Sequence, residues 1–395
     1  MTISTVTFQN NALNDIEAIE SQVSQTQNQL STGLTLQNAA DNPVAMSQVN
    51  DLNVELSASQ QYVTNGNSAN TNLTLEEQAL TNATNVLQSA QSLATEANNG
   101  SLNTSDRQDI ATQLQQLLQQ LVAVANTTDS NGNYLFAGTA SSTQPFAQSS
   151  GSVTYSGSDS VSQIEISPNQ FISQGDTGSS VFMNIPAGNG TFVTAAAATN
   201  TGDASIDPGT VTNPTAWVPD TYTISFTTPT QYQVTNSEGA TVGSGTYTSG
   251  DAIAFDGAQV TISGAPAAGD EFTVSPAGTA SAFTTISSLI TTLNSTTLSS
   301  GQVTTQVSGA LQQLGNAVTN IDNVQASVGA RADAVSAANT SAQSEQTTLQ
   351  SSVSQLSDTD YAAATTQLST EELALQAAEE SYASIAKLSL FNYLS

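Results

Sequence analysis

The sequence predicts a mainly α fold with a β insertion: a long antiparallel helical bundle or coiled coil formed by the N- and C-terminal segments, with a projecting β-rich middle domain. Two observations lead there. Apolar residues recur at helical spacing over about 10–126 and again over about 283–390, and between these zones runs a Gly/Thr/Ser-rich stretch of short alternating segments. Helices at both ends of a chain with a non-helical middle are joined most simply when the ends pair.

In chain order, the first stripe is Ile16, Ile19, Val23 and Leu30, stopped by Gly33 and by Pro43 in "STGLTLQNAADNPVA". A second helix opens near Val44 and carries Val49, Leu52, Leu56 and Val63, then Ala69, Leu73, Leu80, Ala83, Leu87, Ala90 and Ala94; its small residues let a neighbouring helix come close. "NTSDRQD" offers Thr104 or Ser105 as the N-cap of a third helix, with Ile110, Leu114, Leu117, Leu121 and Val124 at heptad spacing. In the middle, about 146–282, "SVTYSG", "SQIEIS", "TYTISFT", "QYQVTN", "AIAFDG" and "QVTISG" are β-branched or aromatic runs punctuated by Gly, Asn, Asp and Pro, with "NSEG" as a turn. Residues 195–215 read as a long surface loop or insertion.

The C-terminal zone is the most regular. Alternating steps of four and three lead from Val307 through Leu311, Leu314, Val318, Ile321, Gln325, Val328, Ala332, Val335, Asn339, Ala342, Gln346, Leu349 and Val353 to Leu356. Twelve of these 15 positions are apolar, which predicts one helix of about 50 residues, roughly 75 Å long. After a break at Ser357-Asp358, where the Asp can cap a new helix, a second register runs through Tyr361, Ala364, Leu368, Leu375, Ala378, Tyr382 and Ile385. The expected organisation is therefore a terminal segment of 1–45 plus 358–395, a helical bundle domain of 46–145 plus 283–357, and a β-rich outer domain of 146–282.

Composition removes most catalytic chemistries. The chain of 395 residues has no Cys and no His, so disulfides, thiolate nucleophiles, imidazole bases and the usual zinc sites are unavailable. Lys and Arg number 3 (Arg107, Arg331 and Lys387) and the net charge is −29, which argues against nucleic acid and anionic membranes as partners. No segment reaches the ~18 consecutive apolar residues of a membrane span. The opening "MTISTVTFQNNALNDIEAIE" has neither a basic n-region nor an apolar h-region, so no Sec signal peptide is expected. Charged residues make up only 9%, with Ser, Thr, Asn and Gln supplying the polarity. Such a surface suits acidic surroundings, where neutralised carboxylates leave little repulsion among so few cations; lineage bias in a Ser/Thr-rich secreted protein accounts for it equally.

No catalytic, cofactor or metal site emerges. Glu76-Glu77, Glu371-Glu372 and Glu379-Glu380 are adjacent on helices, point about 100° apart and read as solvated faces. "DSNGNY" at 129–134 lacks the glycine and glutamate placement of a calcium loop and reads as a turn, and "GNG" at 188–190 opens no helix. A hydrolase would have to draw on Asp203, Asp207, Asp251, Asp256, Asp270 and Glu271. The apolar close "LSLFNYL" is a liability unless something covers it. The first and last stripes have only each other and neighbours in an assembly to bury against.

"QLSTGLTLQNAADNPVAMSQV" resembles the "LSTG…DDPVA" signature of flagellins and flagellar hook-associated proteins, with Asn42 where a second Asp is common. "DSNGNYLFAGTASSTQPF" at 129–146, "VGARADAV" at 328–335 and the close "SLFNYL" are similar to the hook-associated protein 3 (hook-filament junction) family within the flagellin superfamily. The middle resembles it more loosely, through "GDTGSSVF" and "SGAPAAGDEFTVSP". The resemblance implies a structural protein of the bacterial flagellum, not an enzyme and without cofactors, exported unfolded by the type III route with a flagellar export chaperone. It implies terminal helices that are disordered alone and order as a coiled-coil layer. The partners would be the first hook-associated protein, flagellin and further copies of itself, with no nucleic acid and no membrane insertion. The expected assembly residues are Phe8, Ile16, Ile19, Val23, Leu30, Leu368, Leu375, Tyr382, Ile385, Leu388, Leu390, Phe391 and Leu394. Two other readings stay open: flagellin itself, and a carbohydrate-binding or hydrolytic β domain on a helical stalk.

Overall fold

A computed structural model describes residues 5–100, 102–149 and 151–394, with side chains in that range except those of residues 5, 6 and 385–394. Its helices are α1 (Thr5–Thr32), α2 (Pro43–Ala97), α3 (Thr104–Ala125), α4 (Gly178–Phe182), α5 (Ala282–Asn294), α6 (Ser300–Ser357) and α7 (Tyr361–Leu394). The strands are β1 (Phe146–Ser149), β2 (Ser152–Tyr155), β3 (Gln163–Ser167), β4 (Gln170–Ser173), β5 (Ile185–Pro186), β6 (Phe192–Ala196), β7 (Ser205–Ile206), β8 (Thr210–Val211), β9 (Tyr222–Thr228), β10 (Gln231–Thr235), β11 (Thr241–Thr246), β12 (Ala252–Phe255), β13 (Ala258–Ser263), β14 (Glu271–Pro276) and β15 (Thr279–Ala280). The chain divides into two compact units, residues 1–64 with 339–395, and residues 65–338.

The heptad stripe of α6 is realised at every position. Val307, Leu314, Ile321, Val328, Val335, Ala342 and Leu349 are buried, and the intervening members of the series are half-buried. In the 65–338 unit α2 runs antiparallel to α6, as Gln325 Nε2 donating to Thr81 Oγ1 and Asn98 donating to Ser308 Oγ show. Leu73, Leu80, Leu87 and Ala94 form one seam of α2, and Ala69, Ala83, Ala90 and Ala97 the other. α3 lies with α5, burying Ile110, Leu114, Leu118 and Leu121. Asn103 caps α3, not Thr104 or Ser105: its side chain accepts from Asp106 N–H while Asp106 bonds back to the Asn103 N–H. Phe136, Phe146, Phe182 and Phe283 close the end of this core, with ring centroids 5.0–5.7 Å apart.

One carboxylate departs from the sequence expectation. Glu76 is 1% exposed, not part of a solvated face. It stands in the seam Ala69, Glu76, Ala83, Ala90, Ala97, so the seven-residue spacing that buries the alanines buries it too.

The second core of the 65–338 unit is β. A five-stranded antiparallel sheet, order β11-β10-β9-β14-β6, and a sheet of β12-β13-β7 with β8 against β13 share it. Alternation puts Tyr222, Ile224 and Phe226 of β9, Val260 and Ile262 of β13, and Phe272 and Val274 of β14 inside. The 195–215 stretch is not a surface loop. It contributes the end of β6 with β7 and β8, buries Ala204 and Ile206, and is held by the Asp270 carboxylate, which accepts from the N–H groups of Thr201 and Gly202. Amide and hydroxyl side chains along α6 satisfy the β segments' backbone: Gln302 donates to Ala197 O, Thr305 Oγ1 accepts from Ile206 N–H, and Asn316 donates to Pro186 O and Gly188 O. This is where the Asn/Gln-rich composition does its structural work.

Candidate assembly interface

In the unit of residues 1–64 and 339–395, α1 and α7 pack against each other. Thr26 Oγ1 donates to Glu371 Oε2 at 2.8 Å, and Leu34 bridges Asp358, so rising numbers on one helix meet falling numbers on the other and the pair is antiparallel. Gly33 ends α1 at φ 75°, a left-handed conformation that favours glycine, with the Tyr361 hydroxyl pressed against the place a Cβ would take. The next residues are tied to the α6–α7 junction: Thr35 N–H donates to Ser357 O, Thr35 Oγ1 to Asp358 O, and Thr359 N–H to Gly33 O. Asp41 Oδ2 accepts from the N–H groups of Gln37 and Asn38, and Asn42 Oδ1 from Ala45 N–H, which caps α2 ahead of Pro43. Asn serves this cap as Asp would.

Asp358 does not cap α7. Its backbone is taken up by Leu34 and Thr35, and Asp360 Oδ1 instead accepts from Ala362 and Ala363 N–H. The two turns, 33–42 and 357–361, thus lock one another, fixing the end of α1 against the start of α7.

Apart from Ala364, the pair leaves its stripe residues partly open. Ile16, Ile19, Val23, Leu30, Leu368, Leu375 and Tyr382 are half-buried, and Phe8 is 46% exposed. The side chains of Ile385, Leu388, Leu390, Phe391 and Leu394 lie outside the described residues. Sequence reasoning passed over Leu13 and Leu373, both exposed, because neither falls on the chosen stripe. Nine large hydrophobic side chains are exposed among the described residues, and seven of them (Phe8, Leu13, Leu34, Val44, Val54, Tyr361, Leu373) belong to this unit, which holds under a third of the chain. Exposed apolar side chains are thus concentrated on this unit. Its charge is one-sided: Asp15, Glu17, Glu20, Glu372, Glu379 and Glu380 are exposed, and Lys387 is the one basic residue in the sequence of either helix.

The β domain's carboxylates hold backbone and hydroxyl groups. Asp207 accepts from Thr261 N–H, Asp203 from Ser300 Oγ, and Asp270 from three backbone N–H groups. Among the described residues no cluster of three or more acidic side chains is arranged to hold a metal ion.

Family models match three segments of the chain. The bacterial flagellin N-terminal helical region matches residues 3–141, the bacterial flagellin C-terminal helical region 311–394, and the D2-like domain of flagellar hook-associated protein 1 matches 195–276. FlgL of Xanthomonas campestris superposes with a TM-score of 0.72 at 34% identity, over 76% of this chain and 98% of that one. The chain belongs to the flagellar hook-associated protein 3 family. A second member of that family, the flagellar junction protein FlgL of Legionella pneumophila, gives a TM-score of 0.68 at 34% identity over 73% of this chain and 99% of its own. Flagellar hook-associated protein 3 of Escherichia coli K12 is 36% identical over 157 residues, 40% of this chain; the match spans about half, 49%, of that curated relative.

Proposed function

We propose that the chain is a structural subunit of the bacterial flagellum, outside the cell, forming the junction layer between the first hook-associated protein and the flagellin filament. Its terminal helices polymerise as a coiled coil with further copies and with those neighbours, reaching the site by type III export with a flagellar chaperone. The role is structural and not catalytic. The observation that carries the reading is the gathering of exposed apolar side chains on the unit that contains α1 and α7, in a chain of this family. The helical α1 and α7 described above are then the form held in the layer, with burial between subunits offsetting the entropy of ordering them.

The test is light scattering with circular dichroism on the full-length chain beside a version lacking residues 1–30 and 365–395, each with and without flagellin and the first hook-associated protein. Co-assembly and added helix with both partners, confined to the full-length chain, are expected. Long filaments from the full-length chain alone would make it a filament subunit instead, and no interaction with either partner would remove the junction role.

A further inference from the structure

The 65–338 unit contains a buried group that assembly leaves unused. Glu76 of α2 presents Oε1 to the Asp176 N–H at 2.8 Å, while its Oε2 is buried with no hydrogen-bond partner. Asp176, in the loop before α4, forms an ion pair with Arg331 of α6. Arg331 also donates to Ser173 O at 3.4 Å and to Gly175 O at 3.1 Å, binding the same loop. Two carboxyl groups therefore share one guanidinium, and the guanidinium is committed to Asp176. A second ionised carboxylate at Glu76 would be buried, uncompensated and beside a like charge.

We infer that Glu76, Asp176 and Arg331 form a proton-binding site: in the folded unit the Glu76 carboxyl takes up a proton from solution as an O–H, so folding consumes a proton near neutral pH and acid conditions favour the fold. Among the described residues no other charge is placed to compete for the role. Glu77 on α2 and Asp333 on α6 are exposed, the charged residues of α3 lie in its first two turns, and the Glu165 carboxylate of β3 accepts from Asn169 N–H. Asp129 and Tyr134 line, with Asp176 and Asn72, a neighbouring polar cavity of about 160 Å³. Burial first, then the Asp176 charge, push the Glu76 carboxyl from 4.5 up to about 8, against the opposing pull of Arg331. The sign follows: the folded value lies above the unfolded one, so the contribution is complete below about 4.5 and is lost as pH rises through about 8. The site stands independently of the assembly reading.

Urea unfolding of the full chain, followed by helical circular dichroism from pH 4.5 to 8.5, tests it in the wild type, Glu76→Gln and Asp176→Asn. Gln keeps the acceptor for Asp176 N–H and cannot titrate. From pH 8.5 down to pH 4.5 the wild-type folding equilibrium is expected to gain on the order of a thousandfold relative to Glu76→Gln. Asp176→Asn removes the like charge, leaves Arg331 to Glu76, and is expected to move the pH dependence to lower pH. Equal pH profiles for wild type and Glu76→Gln overturn the inference, as does an Asp176→Asn profile that coincides with the wild type. Calcium chloride that stabilises the wild type but not Glu76→Gln at pH 7.5 would make the occupant a metal ion and overturn it too.

Discussion

The helical core of the 65–338 unit and the α1–α7 pair are built from the same residue pattern with opposite outcomes. In the core, α2, α3, α5 and α6 surround each other's stripes, and Leu73, Leu80, Leu87, Leu114 and Leu314 are fully buried. In the pair, two helices meet and their stripes remain half-buried, with Phe8, Leu13 and Leu373 exposed. A heptad stripe states that a face must be covered; the number of neighbours decides whether the chain covers it alone. Two helices leave part of each stripe open, which is the opening the proposed assembly would fill.

The widest gap between the regions is expected in response to truncation. Phe182→Ala, inside the four-ring cluster, should cost about 4 kcal/mol in urea unfolding, whereas Leu373→Ala should stay within about 0.5 kcal/mol. On co-assembly with flagellin and the first hook-associated protein the order should reverse, with Phe8→Ser plus Leu373→Ser losing sedimentable complex at an unchanged unfolding midpoint. If that double variant unfolds as easily as Phe182→Ala, the α1–α7 surface is core and the contrast fails.

Smaller effects belong to the lock between the turns. Gly33→Ala should destabilise the α1–α7 pair by about 1–2 kcal/mol, since the new Cβ meets the Tyr361 hydroxyl at 3.0 Å in a backbone conformation that L-residues avoid. Asn42→Ala should cost about 1 kcal/mol and Asn42→Asp almost nothing, because only the cap oxygen matters. Hydrogen exchange at the α1 and α2 termini reads both. The smallest expected effect is that of salt: with acidic side chains crowding α1 and α7, co-assembly should strengthen a few-fold from 0.05 to 0.5 M sodium chloride. Weakening by salt would mean that attraction, not repulsion, governs that surface.

The long helices were legible because periodicity over many turns leaves little choice; all 15 positions from Val307 to Leu356 are buried or half-buried. Strands β7 and β8 were not, since two residues carry no alternation and the segment just before them is held by Asp270, far along the chain. The caps were missed by one or two residues because Thr104, Ser105 and Asp358 are as competent chemically as Asn103 and Asp360, and backbone geometry alone chooses. Glu76 was misjudged by residue type, although Ala69, Ala83 and Ala90 placed it in the seam by count. Of the surface side, Leu13 and Leu373 were hidden by the assumption of a single narrow stripe.

The commitment of Arg331 to Asp176 also bears on survival outside a cell. Proteases that cleave after basic residues find three targets in this chain. Arg331 is drawn into the Asp176 loop, and Arg107 sits in the first turn of α3, its guanidinium turned back to Leu102 O and Thr104 Oγ1. Lys387 is the third basic residue, and a cut after it would remove Leu388, Leu390, Phe391 and Leu394 from the chain. If those residues belong to the proposed assembly surface, that cut would weaken assembly while leaving the rest of the chain whole.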